Sequence, residues 1–332
     1  MISAEEYLMR KGIKKIFSYE QFSLVAVLII MCILAAILAP VFLTGNNIMN
    51  VLRSSSLNLI TSCGMVLILL LGEMDMSVGA IQGFIGVFSV MVLNATGSVF
   101  AAILFTIFVG AVLGLFNGLL VTKGGINSLI ATLGTMSIFR GIAYVSTGGV
   151  SLQISNETFR ILGAGNLGFL PVPLIIAVFI VFLFWFVLKK TVFGRYIYAI
   201  GGNTEASELA GIPVQKIKLT CFIISGVLAA FTALTLASRL NSGQPSAGDG
   251  FEFNVVSAVV LGGVSLNGGK GNISGAVLGV LILAVLSNIL TLMNVSSFYQ
   301  QIARGVVILI AVYLDERKRK SAEKKLLQAK IA

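Results

Sequence analysis

Apolar residues along this chain are gathered into blocks of membrane-spanning length. The block from Phe22 to Phe42 carries no charge, and neither do Val99–Val121, Pro171–Leu188, Leu219–Ser238 and Ile273–Met293. A helix of about 20 apolar residues crosses a hydrocarbon core of roughly 30 Å, because its backbone polar groups are satisfied internally. Residues 78–94, 128–146 and 302–314 read as further spans. Two shorter apolar runs, Leu57–Leu71 and Asn254–Gly263, leave length alone undecided.

The basic residues decide those two. They cluster in a head (Arg10, Lys11, Lys14, Lys15), in a loop (Lys189, Lys190, Arg195, Lys216, Lys218) and in a tail running from Arg317 to Lys330. Positive charge collects on the cytoplasmic side, so all three segments belong there. An even number of spans must then separate head from loop, and loop from tail. Leu57–Leu71 has to cross as the sixth span before the loop, and Asn254–Gly263 as the fourth after it. The expectation is an all-α polytopic membrane protein of about ten spans, two of them short or broken, with both termini cytoplasmic. Its parts are a cytoplasmic segment 1–21, a transmembrane domain 22–314 with a cytoplasmic loop 189–218, and a basic tail 315–332. Lys123 and Lys270 then fall inside, and only Arg53, Arg140, Arg160, Arg239 and Arg304 lean outward. The pentapeptide Gly110–Gly114 recurs as Gly275–Gly279, in spans four and nine, which run in opposite directions. That points to an inverted repeat of spans 2–5 and 7–10.

Composition agrees with a bilayer setting: 57% of residues are hydrophobic and 11% charged, with a mean hydropathy of +1.00. Soluble domains carry roughly 25% charged residues. The polar start and the long apolar block after it do not form a secretory signal. Cys32, Cys63 and Cys221 lack any disulfide or metal spacing and read as small buried hydrophobes. Histidine is absent, which removes the commonest metal ligand and general base. A membrane-embedded enzyme would need a catalytic constellation that the chain does not offer. Gly268-Gly269-Lys270-Gly271 lacks the phosphate-loop spacing, since Val264 and Gly271 stand where glycine and Ser or Thr are required. A tight inside turn is expected there, not an ATP site.

Glycines at four-residue spacing, Gly110/Gly114/Gly118 and Gly271/Gly275/Gly279, let helices approach closely. Packing inside one subunit is the plainer reading and a subunit interface the sharper one. Glu73 and Asp75 lie in a glycine-flanked break, and Asp249 and Glu252 in an outer-side loop. Acidic groups near membrane depth are costly, so capping of half-helix ends and pairing with arginines is expected, with a proton relay as the alternative. In the cytoplasmic loop, Asn203 or Thr204 can cap a helix N-terminus, and Glu205 and Glu208 suit its start. Gly211 suits a left-handed C-terminus, with Pro213 beyond it. These residues predict a helix of about two turns against which a soluble motor could push.

Several of these segments together resemble the ribose-type permeases of bacterial ATP-binding-cassette (ABC) importers. Gly72-Glu-Met-Asp-Met-Ser-Val-Gly79 resembles their G-x-[IM]-D-[LM]-S-V-G stretch, with Gly72, Asp75, Ser77 and Gly79 at the matching positions. Phe193–Asn203, Ala258–Gly271 and Ser296–Gln300 are similar to further family motifs, in the same order, and the likeness covers roughly residues 20–315. The resemblance implies that Asn203, Glu205, Ser207, Glu208 and Gly211 form a helix that couples to a separate ABC ATPase, with Ser207 where alanine is usual. It implies a second permease copy, a periplasmic sugar-binding protein and a location in the bacterial inner membrane, surrounded by lipid. ATP and Mg would be bound by the partner ATPase, leaving this chain with no cofactor and no enzyme activity. No nucleic-acid partner is expected. Ribose is the first candidate cargo; xylose, galactose, another pentose or hexose, or an autoinducer-type furanose are alternatives. A neutral sugar needs hydroxyls and amides along its path, and Asn117, Ser128, Thr132, Thr135, Ser287 and Asn288 are candidates, each with interhelical hydrogen bonding as the plainer role. An ion-coupled secondary transporter, the other transport class, would need an ionisable site at the midplane, and Glu73 and Asp75 are expected near a membrane edge.

Overall fold

Long helices dominate the computed structural model, which describes residues 19–303 together with 305–307, 309, 313 and 317. The helices are α1 (Tyr19–Leu38), α2 (Gly45–Leu70), α3 (Val78–Thr96), α4 (Val99–Thr122), α5 (Ser128–Thr147), α6 (Ile161–Ala164), α7 (Val172–Lys190), α8 (Val192–Gly202), α9 (Thr204–Leu209), α10 (Val214–Leu240), α11 (Phe251–Leu261) and α12 (Ile273–Leu292). Among the described residues, α1–α5, α7, α10 and α12 are long and apolar enough to cross a membrane. Six of these precede the loop that carries α8 and α9. The head before residue 19, Arg304, most of the expected span 302–314 and nearly all of the tail 315–332 lie outside the described residues. What strand there is consists of two-residue pairs: Leu152–Gln153 with Ser242–Gly243, and Asn166–Leu167 with Leu170–Pro171, both antiparallel.

The core forms around α10, which packs against α4, α2 and α3. Close approach is set by glycine. A Cβ on Gly110 or Gly114 would strike the backbone of α10 near Gly226 and Phe222, and one on Gly275 or Gly279 would strike α11 at Gly262 or Ala258. Both ridges are therefore packing within one chain. Gly271 is outside its ridge altogether, in a turn at φ +127° against Val264.

The run Leu57–Leu71 is not a short span. It is the inner half of α2, a helix of 26 residues and about 39 Å at 1.5 Å per residue. Hydropathy conceals the outer half because Asn47, Asn50, Arg53 and Ser54 fall there. The other short run is a broken span. After α10, the chain passes Gly243 against Gly86, Pro245 against Gly83 and Gly248 against Gly79, so it descends about 10 Å along α3 in non-helical form. Arg140 holds it there, donating from Nη1 to the Pro245 carbonyl (2.9 Å) and the Ala247 carbonyl (2.5 Å). The 11 residues of α11 follow, capped at Gly262, which lies against Gly275 of α12. Such non-helical backbone at depth is tolerated because protein surrounds it. Asp249 and Glu252 are consequently not in an outer-side loop: they flank the N-terminus of α11, beside Gly79.

The same plan recurs. A long helix, a break and a second helix make up α2–α3 and again α10–α11. In the packing, α4 lies on α10 as α12 lies on α2, and α3 on α10 as α11 on α2. That exchange of partners is what an inverted repeat produces.

Candidate functional site

In the loop after α7, Thr191 caps the first turn of α8 through a bond from Gly194 N. Ile197 and Ile200 are buried, and Gly201 packs so closely that a Cβ would meet the Leu70 carbonyl. Gly269 N donates to that same carbonyl at 2.9 Å, and Tyr198 Oη donates to Gly271 O at 2.9 Å. Burial pushes the Tyr198 phenol up from its ordinary pKa, which keeps that donor protonated. The helix thus joins the inner end of α2 to the glycine-rich turn before α12. Helix α9 follows at once. Asn203, not Thr204, is its cap, accepting from Ala206 N at 2.8 Å, and Gly211 takes φ +77°. The helix is six residues, shorter than the two turns expected. Ser207 is buried and donates to the Asn203 carbonyl, while Glu205, Glu208 and Leu209 stand in solvent, Leu209 at 91% exposure.

The break 71–77 is held from several sides. Gly72 is left-handed at φ +76°. Glu73 pairs with Lys218 at the start of α10, a lysine rather than an arginine. Asp75 is fully buried, and its Oδ1 accepts from Ser77 N (3.0 Å) and Ser77 Oγ (2.6 Å), its Oδ2 from Ser225 Oγ (3.0 Å). Ser225 lies seven residues beyond Lys218 on α10, so Asp75 sits about 10 Å deeper than the ion pair. Asn117 Nδ2 donates to Ser77 Oγ. The hydroxyls of Ser128 and Thr132 accept from Met74 N and Met76 N, and Thr135 bonds only within its own helix, to Thr132 O. Four of the six candidates proposed for a sugar path are therefore fastenings of the break and of α5.

The other two, Ser287 and Asn288, face a cavity of about 750 Å³ between α2, α10, α11 and α12. Opposite them, Asn47, Asn50, Ser54 and Asn58 follow one another at three- and four-residue spacing, so α2 turns a polar stripe inward. This spacing is legible in the sequence, and the stripe is what reading by blocks missed. Asn47 and Asn288 exchange reciprocal amide bonds of 2.9 and 2.8 Å, and Arg239 reaches Ser54 Oγ at 3.0 Å. Gln82, Gly248 and Asp249 also line it, at the meeting of α3 and the descending segment. Here the N-termini of α3 and α11 come together, with Gly79 against Glu252. Helix N-termini favour negative charge, which accounts for the two carboxylates, Asp75 and Glu252, buried at that point. Gln82 Nε2 and Glu252 Oε2 are buried without a hydrogen-bond partner among the described residues. Apart from Arg239 and Asp249, the polar groups on this wall are amides and hydroxyls, which offer donors and acceptors together and suit a neutral polyhydroxylated molecule.

The family described as the permease component of branched-chain amino acid transport systems matches residues 47–312. The ribose import permease protein of Haemophilus influenzae is 40% identical over 303 residues, 90% of this chain and 94% of that protein. Its counterpart in Bacillus subtilis is 45% identical over 294 residues, 88% and 91% of the two chains. The L-arabinose ABC transporter permease protein of Azospirillum brasilense is 40% identical over 296 residues, 89% and 87%. No solved structure matches at a significant level.

Proposed function

Since the chain belongs to this permease family, among its ribose-type members, we propose that it carries a pentose, ribose first, across the bacterial inner membrane. It is the multi-pass permease subunit of a monosaccharide ABC importer. The observation that carries the reading of mechanism is the polar cavity enclosed by apolar spans, where Asn47, Asn288 and the α2 stripe face one another. Amide pairs of this kind can exchange their mutual bonds for bonds to sugar hydroxyls with little change in hydrogen-bond count. Helix α9, with Glu205, Glu208 and Leu209 exposed, is the surface we assign to a separate ATPase. The outer face is assigned to a sugar-binding protein, and a second copy completes the transporter. ATP and Mg belong to the ATPase.

Likeness to L-arabinose permeases as well as ribose permeases makes the pentose class firmer than the individual sugar. Proteoliposomes holding this chain, its ATPase and the binding protein test both. Ribose uptake that requires ATP and the binding protein, with unlabelled L-arabinose as competitor, is the expected result. Uptake by the chain alone under an ion gradient would overturn the reading and redirect attention to Asp75 and Glu252.

A further inference from the structure

A second recess lies away from the polar cavity, on the lipid-facing side where α1, α7 and α12 meet. It encloses about 440 Å³ and its walls are apolar: Val25 from α1, Val181, Phe182 and Trp185 from α7, Val277 and Leu278 from α12. From Trp185 to Val178 it follows α7 for seven residues, about 10 Å, which fits inside one leaflet of roughly 15 Å. Beyond Trp185, the last turn of α7 carries Lys189 and Lys190, both exposed. Lys189 Nζ lies 5.0 Å from the centre of the Trp185 ring, which stacks on Phe182 at 5.8 Å. Gln21 Nε2 donates to Asn272 Oδ1 at the same end, tying α1 to the start of α12. Neither lysine pairs with a carboxylate among the described residues.

We propose that this recess is a binding site for one anionic phospholipid of the cytoplasmic leaflet. An acyl chain would lie against Val181, Phe182 and Val277, and the phosphate would lie between Lys189 and Lys190. Three features coincide that an ordinary lipid-facing surface does not need to combine. The groove is concave and apolar, an aromatic ring of the interfacial type lines it, and the helix turn beyond that ring carries two adjacent cations without a carboxylate partner among the described residues. Basic groups between spans at the cytoplasmic side select anionic headgroups by charge. A neutral lipid would fill the groove and leave both lysines unanswered, and a peptide segment would need no adjacent cations.

Trp185 is the only tryptophan in the chain, so its fluorescence reports on the groove without interference. The full-length chain would be reconstituted in phosphatidylcholine containing a low mole fraction of either brominated phosphatidylglycerol or brominated phosphatidylcholine. Selective quenching by the brominated anionic lipid is expected, with a preference of about five-fold for each lysine engaged. Unlabelled phosphatidylglycerol should relieve it, and Lys189→Gln with Lys190→Gln should bring quenching down to the level set by mole fraction. Equal quenching by both lipids would mean an ordinary lipid annulus and overturn the proposal. Quenching by neither would mean that protein covers the groove, and would overturn it too. The competition arm needs no substitution, so a variant that fails to insert leaves the test intact.

Discussion

A Cβ added at Gly79 would land on the Glu252 carboxylate and on the carbonyl of Gly248. Neither neighbour is a flexible side-chain end with room to retreat, since Glu252 is buried and Gly248 is itself left-handed at φ +72°. Gly79→Ala should therefore destabilise the chain by about 1–3 kcal/mol, the range for overpacking. Gly86→Ala, two turns along the same helix where a Cβ would meet nothing within 4 Å, should be neutral or stabilising by up to about 1 kcal/mol. Thermal unfolding of the two purified variants in one detergent compares them, and equal losses would mean that Gly79 is not where the two helix starts lock together. The polar residues divide in a similar way. Thr132 and Asn288 look alike in the sequence, as isolated polar residues on apolar spans. What separates them is the segment they face: Thr132 meets Met76 N, 56 positions away, and Asn288 meets Asn47 across the cavity, 241 away. Such partners belong to the tertiary fold and leave no mark on local pattern. Asn288→Leu should accordingly lower ATP-driven uptake about ten-fold or more while the chain still inserts, because leaving Asn47 and a sugar hydroxyl unpaired costs at least about 1–3 kcal/mol. Unchanged uptake would remove the cavity from the path.

Elements were legible wherever their residues faced lipid. Helices α4, α7 and α12 face it broadly and stand out as apolar blocks, with ends close to those expected. Helix α2 was half hidden because its outer turns face a polar cavity, and hydropathy scores such turns as loop. Helix α8 was missed because it is an amphipathic helix within a charged loop, anchored by Gly201 and Tyr198 to segments far away in sequence. The breaks were legible as glycine-rich punctuation, but the depth of the second was not, since descent along α3 depends on close backbone contact at Gly79, Gly83 and Gly86. At this scale the Glu73–Lys218 pair joins the first break to the base of α10. Both side chains are about 15% exposed, so removing one partner leaves a largely desolvated charge, at a cost of about 3–5 kcal/mol. Lys218→Glu alone should disable ATP-driven uptake, and combining it with Glu73→Lys should restore a large part. If the double variant stays as inactive as the single one, the pair does not act as a link.

For the whole molecule, these contacts form one continuous path from α9 to the floor of the cavity. The path begins at α9, enters α10 through Gly211 and Pro213, crosses to the first break through Lys218 and Glu73, and reaches Asp75 through Ser225. From there Ser77 leads into α3, whose Gly79 touches the start of α11 at the floor of the cavity. Apart from Ser225, in the body of α10, the members of that series lie at helix ends or breaks, the positions where a packed bundle can change arrangement without repacking its core. A push on α9 would therefore be felt where the two broken spans meet, provided that α9 is on the ATPase side and is covered by it. Impermeant thiol labelling can check both conditions. Leu209 on α9 and Phe169 in the loop before α7 are 91% and 78% exposed, whereas native Cys63 and Cys221 are buried. Phe169→Cys should label in intact cells and Leu209→Cys only in inverted vesicles, because an odd number of crossings, α7 alone, separates them. Adding the ATPase to the vesicles should then protect Leu209→Cys while leaving the extent of labelling at other cytoplasmic positions, such as Lys123→Cys, unchanged. Labelling of both sites from one side would contradict the orientation set by the basic segments. Labelling of Leu209→Cys that persists under saturating ATPase would leave the orientation standing and remove α9 as the point where the motor pushes.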